Sequence, residues 1–262
     1  MNLGLNNRIA LVTGSTHGVG KSIAIALAKE GVNIIINGRN EGEVRKTVKE
    51  IGNLGVSAFE CCIDDRNPNA IKDFFSEIGQ LDILVNNVGN IEKPGDFLDL
   101  TDEDWLSSHE LTFMSMVRFA REALPLLLKS NQPRIINISS IPAHQPGFYN
   151  PHYSADKAAM LNLGKYLANS FGKKGILVNT ICPSTLHGGG WVKNKLRRAD
   201  KDRVSLEEME EIMIKEEAAK SPLGKVGELE DVANLVVYLA SCNAKYLTGH
   251  CYNVDGGVTR SI

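Results

Sequence analysis

The chain has 262 residues, of which 43% are hydrophobic and 23% are charged, and its formal net charge is -2. This length is enough to bury a full hydrophobic core and suits a single domain spanning 1–262. A net charge so close to zero does not favour a surface that binds nucleic acid or an anionic membrane. The N-terminal residues lack the order of a secretion signal, and no uncharged apolar run approaches membrane-spanning length.

The cysteines and histidines indicate a reduced protein. The five cysteines show no C-x-x-C spacing, and the adjacent Cys61 and Cys62 are predicted to point to opposite faces of a strand. Cys182, Cys242 and Cys251 lie in apolar surroundings and are predicted to be buried thiols. The six histidines form no H-x-x-x-H motif and no mixed cluster with cysteine along the sequence. We therefore predict a cytoplasmic protein without a metal site.

Short apolar segments alternate with segments of helical periodicity along the whole chain. Strands are predicted at 8–13, 34–36, 56–63, 81–85, 134–138, 176–182 and 250–254. Helices are predicted at 21–30, 41–54, 69–78, 102–129, 152–173, 206–219 and 228–240. Pro125 is expected to bend or interrupt the helix at 102–129, because proline lacks the backbone donor that a helix interior needs.

This alternation predicts an α/β fold with a doubly wound parallel sheet, covered by helices on both faces. In such sheets the ligand crevice lies at the carboxyl ends of the strands. The polar segment 184–221 follows the sixth strand and contains the predicted helix at 206–219. Its position is typical of a lid over the crevice. A solvated surface excursion is an equally open interpretation.

A glycine-rich turn follows the first strand and opens the first helix, with glycines at positions 14, 18 and 20. Glycine lets the backbone approach a phosphate closely, and the helix N-terminus offers free N–H groups and a positive dipole end. The turn therefore predicts a phosphate cradle. A turn needed only for helix–strand packing is the alternative.

The sequence Gly20-Lys21-Ser22 raises a second alternative, because a nucleoside-triphosphatase P-loop ends in the same way. That loop requires a glycine at position 15, which is Ser15 here. The fourth strand also ends in Asn86-Asn87 and not in a magnesium-binding aspartate. The P-loop interpretation is therefore disfavoured.

Tyr153 and Lys157 are four residues apart, so on a helix their side chains share one face. An ammonium near a phenol favours the phenolate and is expected to lower the phenol's pKa toward neutrality. Taken alone the spacing is common, and a solvated helix face is the alternative.

Four motifs occur in order along the chain, and together they resemble the short-chain dehydrogenase/reductase family. They are Thr13-Gly14-x-x-x-Gly18-x-Gly20, Asn86-Asn87-Val88-Gly89, Ser139-Ser140 and Tyr153-x-x-x-Lys157. The resemblance covers essentially the whole chain, including Asp255-Gly256-Gly257. It is strongest to 3-oxoacyl-carrier-protein reductases and related alcohol and ketone dehydrogenases, and it implies a Rossmann fold.

The resemblance implies hydride transfer between a nicotinamide and a carbonyl or secondary alcohol. Tyr153 would be the general acid or base, and Lys157 would lower its pKa and hold the ribose. Ser140 would position the substrate oxygen, with Ser139 as the alternative if the register is shifted by one. Thr112 stands where most members have an asparagine that holds a proton-relay water.

The resemblance also implies a dinucleotide site. Its residues would be Gly14, Thr16, His17, Gly18, Val19, Gly20, Arg39, Ile63, Asn87, Gly89, Tyr153, Lys157 and Pro183. Arg39 follows a glycine where NAD-preferring members have an acidic residue, so NADP(H) is favoured and NAD(H) remains possible. Cys62 replaces an aspartate that often meets adenine.

Thr112 and Cys62 leave a second function open, a dinucleotide sensor that has lost turnover. The expected partner of the enzyme is a small carbonyl or alcohol, with a pocket formed by 90–97, 141–150 and the lid. By analogy a homo-oligomer, in many members a tetramer, would pair the helices at 102–129 and 152–173.

Overall fold

The computed structural model describes residues 2–260. Its centre is a seven-stranded parallel sheet in the order β3-β2-β1-β4-β5-β6-β9. The order reverses between β1 and β4, so the doubly wound prediction is confirmed. The strands of the main sheet are β1 (Ile9–Val12), β2 (Asn33–Gly38), β3 (Ala58–Cys62), β4 (Ile83–Asn86), β5 (Arg134–Ile138), β6 (Leu177–Pro183) and β9 (Cys251–Val254). Between them in the chain lie two short strands, β7 (Leu186–His187) and β8 (Gly227–Glu228), which pair with each other.

Helices cover both faces of the sheet. They are α1 (Gly18–Lys29), α2 (Glu41–Gly52), α3 (Pro68–Glu77), α4 (Asp102–His109), α5 (Ser115–Leu127), α6 (Pro151–Phe171), α7 (Gly190–Asp202), α8 (Leu206–Ala218) and α9 (Leu229–Ala240). Where the chain turns into α2, the side chain of Asn40 accepts from the amide of Glu43 and caps the helix. None of the helices described for 2–260 is both long and apolar enough to cross a membrane.

Two apolar cores lie on opposite faces of the sheet. Ile36 of β2 belongs to the core under α1 and α9, together with Leu27 and Val236. The preceding Ile35 belongs to the core under α5 and α6, together with Phe119. Because successive strand residues point to opposite faces, a run of isoleucines is what a strand covered on both sides requires.

The segment predicted as one helix at 102–129 is interrupted, but not at the proline. Between α4 and α5 lies a π-helical turn, Glu110–Met114. Pro125 lies inside the last turn of α5, which continues past it to Leu127. The interruption predicted at Pro125 is therefore wrong, because a proline removes only one helical hydrogen bond and the buried Ala123 and Leu127 hold this turn against the core.

The insertion after β6 is more ordered than its sequence indicated. Besides α8, it contains α7 and β7, neither of which was predicted. It encloses a small apolar core of its own, formed by Trp191, Ala199, Met209 and Met213. The helical insertion is therefore confirmed, whereas its action as a lid stays a prediction.

The cysteines correct one expectation. Cys182 is buried as predicted, but Cys242 and Cys251 are exposed. Cys251 lies in β9, the edge strand of the main sheet, whereas Cys242 follows α9 and donates from Sγ to the carbonyl of Asn2 at the chain's surface. Cys61 is buried and Cys62 exposed, as expected for neighbours in one strand.

Candidate active site

Helix α6 brings the predicted tyrosine and lysine to the carboxyl end of the sheet. Lys157 is almost fully buried, and its Nζ donates to the carbonyl of Ile138, the last residue of β5, at 2.8 Å. The same Nζ lies 5.5 Å from the centroid of the Tyr153 ring. The two side chains are therefore neighbours in a buried site, and the alternative of a solvated helix face does not hold.

The two serines after β5 have different partners. Ser139 donates from Oγ to the backbone carbonyl of Lys157 at 2.9 Å, and its amide donates to the carbonyl of Ile181. Ser140, by contrast, places its side chain close enough to the Tyr153 phenol to lower that group's pKa. Ser139 therefore holds α6 against the sheet, whereas Ser140 is the serine next to the phenol of Tyr153.

Burial dominates the proton affinities of this pair. It raises the pKa of Tyr153 to about 12, although the neighbouring Ser140 side chain acts in the other direction. It lowers the pKa of Lys157 to about 8. The prediction that Lys157 would lower the tyrosine's pKa is thus corrected for the protein alone. The free-energy cost of removing a phenolate from water exceeds the stabilisation by its neighbours, because the lysine ammonium donates to a backbone carbonyl and not to the phenol.

Thr112 lies in the π-helical turn between α4 and α5 and is completely buried. Its Oγ1 has no hydrogen-bond partner among the described residues. A Cβ built on Gly89 would lie 2.7 Å from Lys157 Nζ and 3.4 Å from Thr112 Cγ2, so all three residues meet at one place. A buried hydroxyl without a partner beside a buried ammonium is suited to hold a water molecule.

The glycine turn has the geometry of an anion cradle. Gly14 and Gly18 have φ values of 60° and 57°, a region that favours glycine. A Cβ on Gly20 would collide with the carbonyl oxygen of Gly14, so only glycine fits there. His17 precedes α1 and, within the described chain, makes no capping hydrogen bond from its side chain; its Nδ1 lies 3.1 Å from Thr16 Oγ1. The first amides of α1 are therefore available to a phosphate.

Asn87 joins the turn to the neighbouring strand. Its Nδ2 donates to the carbonyls of Thr13 and Gly14 at 2.9 and 3.3 Å, and its amide donates to Thr13 Oγ1 at 2.9 Å. Residues after β1 and after β4 are thereby held together at the point where the strand order reverses. This is where open α/β sheets bind their ligands.

The remaining predicted cofactor residues lie along the same edge of the sheet. Arg39 follows β2 and is exposed, Ile63 follows β3 and is half-buried, and Pro183 ends β6. A Cβ on Gly38 would lie 2.8 Å from Thr16 Cγ2 and 3.2 Å from Val44 Cγ2, so these two side chains leave little room for an acidic side chain before Arg39. The edge thus combines a phosphate cradle, an exposed guanidinium and half-buried apolar residues such as Ile63 and Val19. Such a surface fits a dinucleotide.

Comparison with known proteins decides the family. A family model described as enoyl-(acyl carrier protein) reductase matches residues 14–259, nearly the whole chain. The chain belongs to the short-chain dehydrogenase/reductase family. An uncharacterized oxidoreductase of Bacillus subtilis, YvaG, is 34% identical over the full length of both chains. The 3-oxoacyl-[acyl-carrier-protein] reductase FabG of Staphylococcus epidermidis is 31% identical, with 96% of this chain and 99% of the relative covered.

Two solved structures of short-chain dehydrogenases/reductases are similar throughout. L-sorbose reductase from Gluconobacter frateurii, complexed with NADPH and L-sorbose, has a TM-score of 0.93 and 30% identity, with both chains covered completely. A variant of actinorhodin polyketide ketoreductase with NADPH has a TM-score of 0.89 and 31% identity, with 97% and 98% of the two chains covered. The Rossmann fold inferred from the motifs is therefore confirmed.

One polar residue of this short-chain dehydrogenase/reductase was not identified from sequence. Asp65 is buried three residues after β3. Burial raises its pKa to about 6, although the nearby Asn37 side chain and the charge of Arg39 both lower it. The pair Asp64-Asp65 after a strand end was the available signal, but sequence could not show which carboxyl is buried.

Replacing Asp65 with asparagine is expected to stabilise the protein above pH 6. The folded pKa of about 6 exceeds the ordinary value of 3.8. The carboxyl's contribution to stability is therefore fully present below pH 4 and is lost as pH rises through 6. Asp65→Asn stays neutral and should raise the free energy of unfolding at pH 7.5 by up to about 3 kcal/mol. Urea unfolding across pH 4–8 measures this, with the exposed neighbour variant Asp64→Asn as control. A gain that does not shrink below pH 6 would contradict the assignment.

The insertion contacts the glycine turn through Gly189, which lies against Gly18. A Cβ on Gly18 would lie 3.3 Å from the Cα of Gly189, just before α7. Further out, Glu210 of α8 accepts from Trp191 Nε1 at 2.8 Å and lies 2.7 Å from His187 Nε2. A hydrogen bond from Lys195 is the main cause that lowers the pKa of Glu210 to about 2. This one carboxylate ties α8 to β7 and α7.

Proposed function

We propose that the protein is an NADP(H)-dependent oxidoreductase that interconverts a carbonyl compound and a secondary alcohol. The observation that carries this proposal is the grouping of Ser140, Tyr153 and Lys157 beside the glycine cradle at the carboxyl end of the sheet. A protein that only senses a dinucleotide has no need of a half-buried phenol with a serine and a lysine next to it.

The reduced nicotinamide supplies a hydride to the carbonyl carbon when it is bound. The negative charge that develops on the substrate oxygen must be hydrogen-bonded and then protonated. The hydroxyl of Ser140, next to the phenol, would donate a hydrogen bond to this oxygen. Tyr153, with a pKa of about 12, is protonated at neutral pH and remains a far stronger acid than an alcohol. The corrected pKa direction therefore suits Tyr153 as the acid of a reduction.

Lys157 acts after the proton has left. Its pKa of about 8 keeps it mostly charged at pH 7. A cation 5.5 Å from the ring centroid stabilises the phenolate that proton transfer produces. The Thr112 hydroxyl, which has no partner among the described residues, could bind a water next to Lys157. That water would then reprotonate the tyrosine.

Two features favour NADP(H) over NAD(H). Both solved relatives described above contain NADPH. In this chain the exposed guanidinium of Arg39 follows a glycine at the end of β2, where a planar fork can bind a 2′-phosphate.

Arg39→Ala is expected to weaken NADPH binding by about 1–3 kcal/mol and to leave NADH binding nearly unchanged. The reason is that only NADPH carries the phosphate that the guanidinium would contact. Fluorescence titration of both cofactors measures the effect, and Arg45→Ala, an exposed arginine on α2, is the matched control. Equal losses for the two cofactors would show that Arg39 has a structural role.

The enzyme and the sensor are separated by following the hydride itself. NADPH deuterated at the transferred position is incubated with a panel of ketones, ketoses and 3-oxoacyl thioesters, and the label in the alcohol product is measured. Transfer of deuterium to any member of the panel supports the enzyme. Tight NADPH binding without transfer to any class of carbonyl favours the sensor, which Thr112 and Cys62 left open.

An oligomer built on α4, α5 and α6 stays a prediction. These helices expose Leu106 and Tyr166, which are 65% and 62% accessible. Residues of this kind are typical of helix-pairing interfaces. Sedimentation of the purified protein decides between a monomer, a dimer and a tetramer.

A further inference from the structure

Three soft metal ligands from separate parts of the chain meet at the substrate end of the crevice. They are Cys182 of β6, Cys251 of β9 and His144, which follows the short helical turn Ile141–Ala143. One ligand atom from each lies within 4.8 Å of the other two, and the two sulfurs are 3.2 Å apart. Within residues 2–260, no other group of three histidine, cysteine or carboxylate side chains comes together in this way.

No spacing in the sequence indicated this cluster, because parallel-sheet topology creates it. β6 and β9 are adjacent strands although about 70 residues separate them, and the turn carrying His144 follows β5 on the other side of β6. β6 therefore delivers Cys182 near its carboxyl end, β9 delivers its first residue, Cys251, and the turn after β5 delivers His144. Cys182 is buried, whereas Cys251 and His144 are exposed, so a small ion can reach the cluster from solvent.

The register of β6 and β9 disfavours a disulfide between Cys182 and Cys251. Cys251 is paired with Thr180, and Cys182 is paired with Asn253, so the cysteines are offset by two residues. With ordinary strand spacing and rise, this offset places their Cα atoms about 8 Å apart. A disulfide spans at most roughly 7 Å between Cα atoms without backbone movement. The side chains converge, but the backbone stays too far apart.

We propose that Cys182, Cys251 and His144 form a binding site for one thiophilic divalent cation, of which Zn²⁺ is the representative. Zinc prefers thiolate and imidazole ligands in a tetrahedron. Its bond lengths place two thiolate sulfurs about 3.8 Å apart, slightly wider than the present contact. Binding would convert both thiols to thiolates and release two protons to solvent. The fourth position, on the exposed side, is left to water or to another oxygen ligand.

The location gives the site a consequence for catalysis. Cys182 lies against the side chain of Ser139 and the backbone of Ser140, and it is close enough to influence Tyr153 electrostatically. The two thiolates would balance the charge of the cation, so the bound ion would act mainly by occupying space where a carbonyl substrate is expected. Zinc should therefore inhibit the reduction. This consequence rests on the proposed function, whereas cation binding does not.

Calorimetric titration of the reduced, metal-stripped full chain with Zn²⁺ under nitrogen tests the site. We expect one equivalent per chain. His144→Ala and Cys251→Ser should each weaken binding at least about tenfold, because each removes one ligand. Cys242→Ser removes an exposed thiol outside the cluster and should bind like the wild type. Titration with Co²⁺ adds a spectroscopic readout, a thiolate-to-cobalt absorption band that Cys251→Ser should lose.

Three results would overturn the metal site: no stoichiometric uptake, equal weakening in Cys242→Ser, or full affinity in both cluster variants. A protein that takes up no zinc but forms a Cys182–Cys251 disulfide under mild oxidation would assign the pair to redox chemistry instead. If zinc binds as expected while deuterium transfer fails, the metal site stands and the proposed function falls.

Discussion

Tyr153→Phe is expected to reduce turnover of a carbonyl substrate by about 10²–10⁴-fold while leaving NADPH affinity within about a factor of two. The substitution removes a single oxygen, the proton donor for the substrate's developing alkoxide. The ring stays in place and keeps its packing. Steady-state kinetics with the best substrate of the panel, together with a separate NADPH titration, measures the two quantities.

Tyr166→Phe is the matched control for this experiment. Tyr166 lies on the same helix, α6, but it is exposed and remote from the sheet edge. It should keep wild-type turnover. Should Tyr153→Phe retain more than a tenth of the wild-type rate, another group or a water must donate the proton, and the central assignment would fail.

The fold was predictable because its signals are local and repeated. A continuous apolar strand such as β2 must be covered on both faces, and alternation with helices leaves a parallel sheet as the solution. The glycine turn was also predictable from sequence, because only glycine fits at such a turn. A Cβ on Gly20, for example, would collide with the Gly14 carbonyl. Family membership followed from the order of the motifs, none of which is specific alone.

The parts that sequence missed all depend on contacts between distant segments. The π-helical turn Glu110–Met114 has no composition that distinguishes it from the α-helices on either side. The direction of the Tyr153 pKa depends on how deeply α6 is buried, and spacing along the helix does not reveal that. The cluster of His144, Cys182 and Cys251 exists only because β9 returns to pair with β6.

The corrected pKa values change how the pair is understood. From spacing alone, the lysine was expected to lower the pKa of the tyrosine toward neutrality. Burial instead keeps the phenol protonated and makes the lysine the group that titrates near physiological pH. The pH dependence of the reaction is thus expected to report on Lys157 and not on Tyr153.

Lys157→Ala is therefore expected to have two effects on the reduction. Turnover should fall by about 10²-fold or more, because the phenolate left by proton transfer loses its neighbouring cation. The pH profile should also change shape. With a pKa of about 8, Lys157 is charged below that pH and neutral above it, so wild-type activity should decline as pH rises through 8. The alanine variant should lack this decline.

Rates measured from pH 6 to 10 at saturating NADPH test this expectation. Lys165→Ala, which removes an exposed lysine from the same helix, should keep both the wild-type rate and the decline near pH 8. A decline near pH 8 that persists in Lys157→Ala would belong to a different group. In that case the ammonium that donates to the Ile138 carbonyl would serve to hold α6 on the sheet, and the stabilisation of the phenolate would have to come from elsewhere in the site.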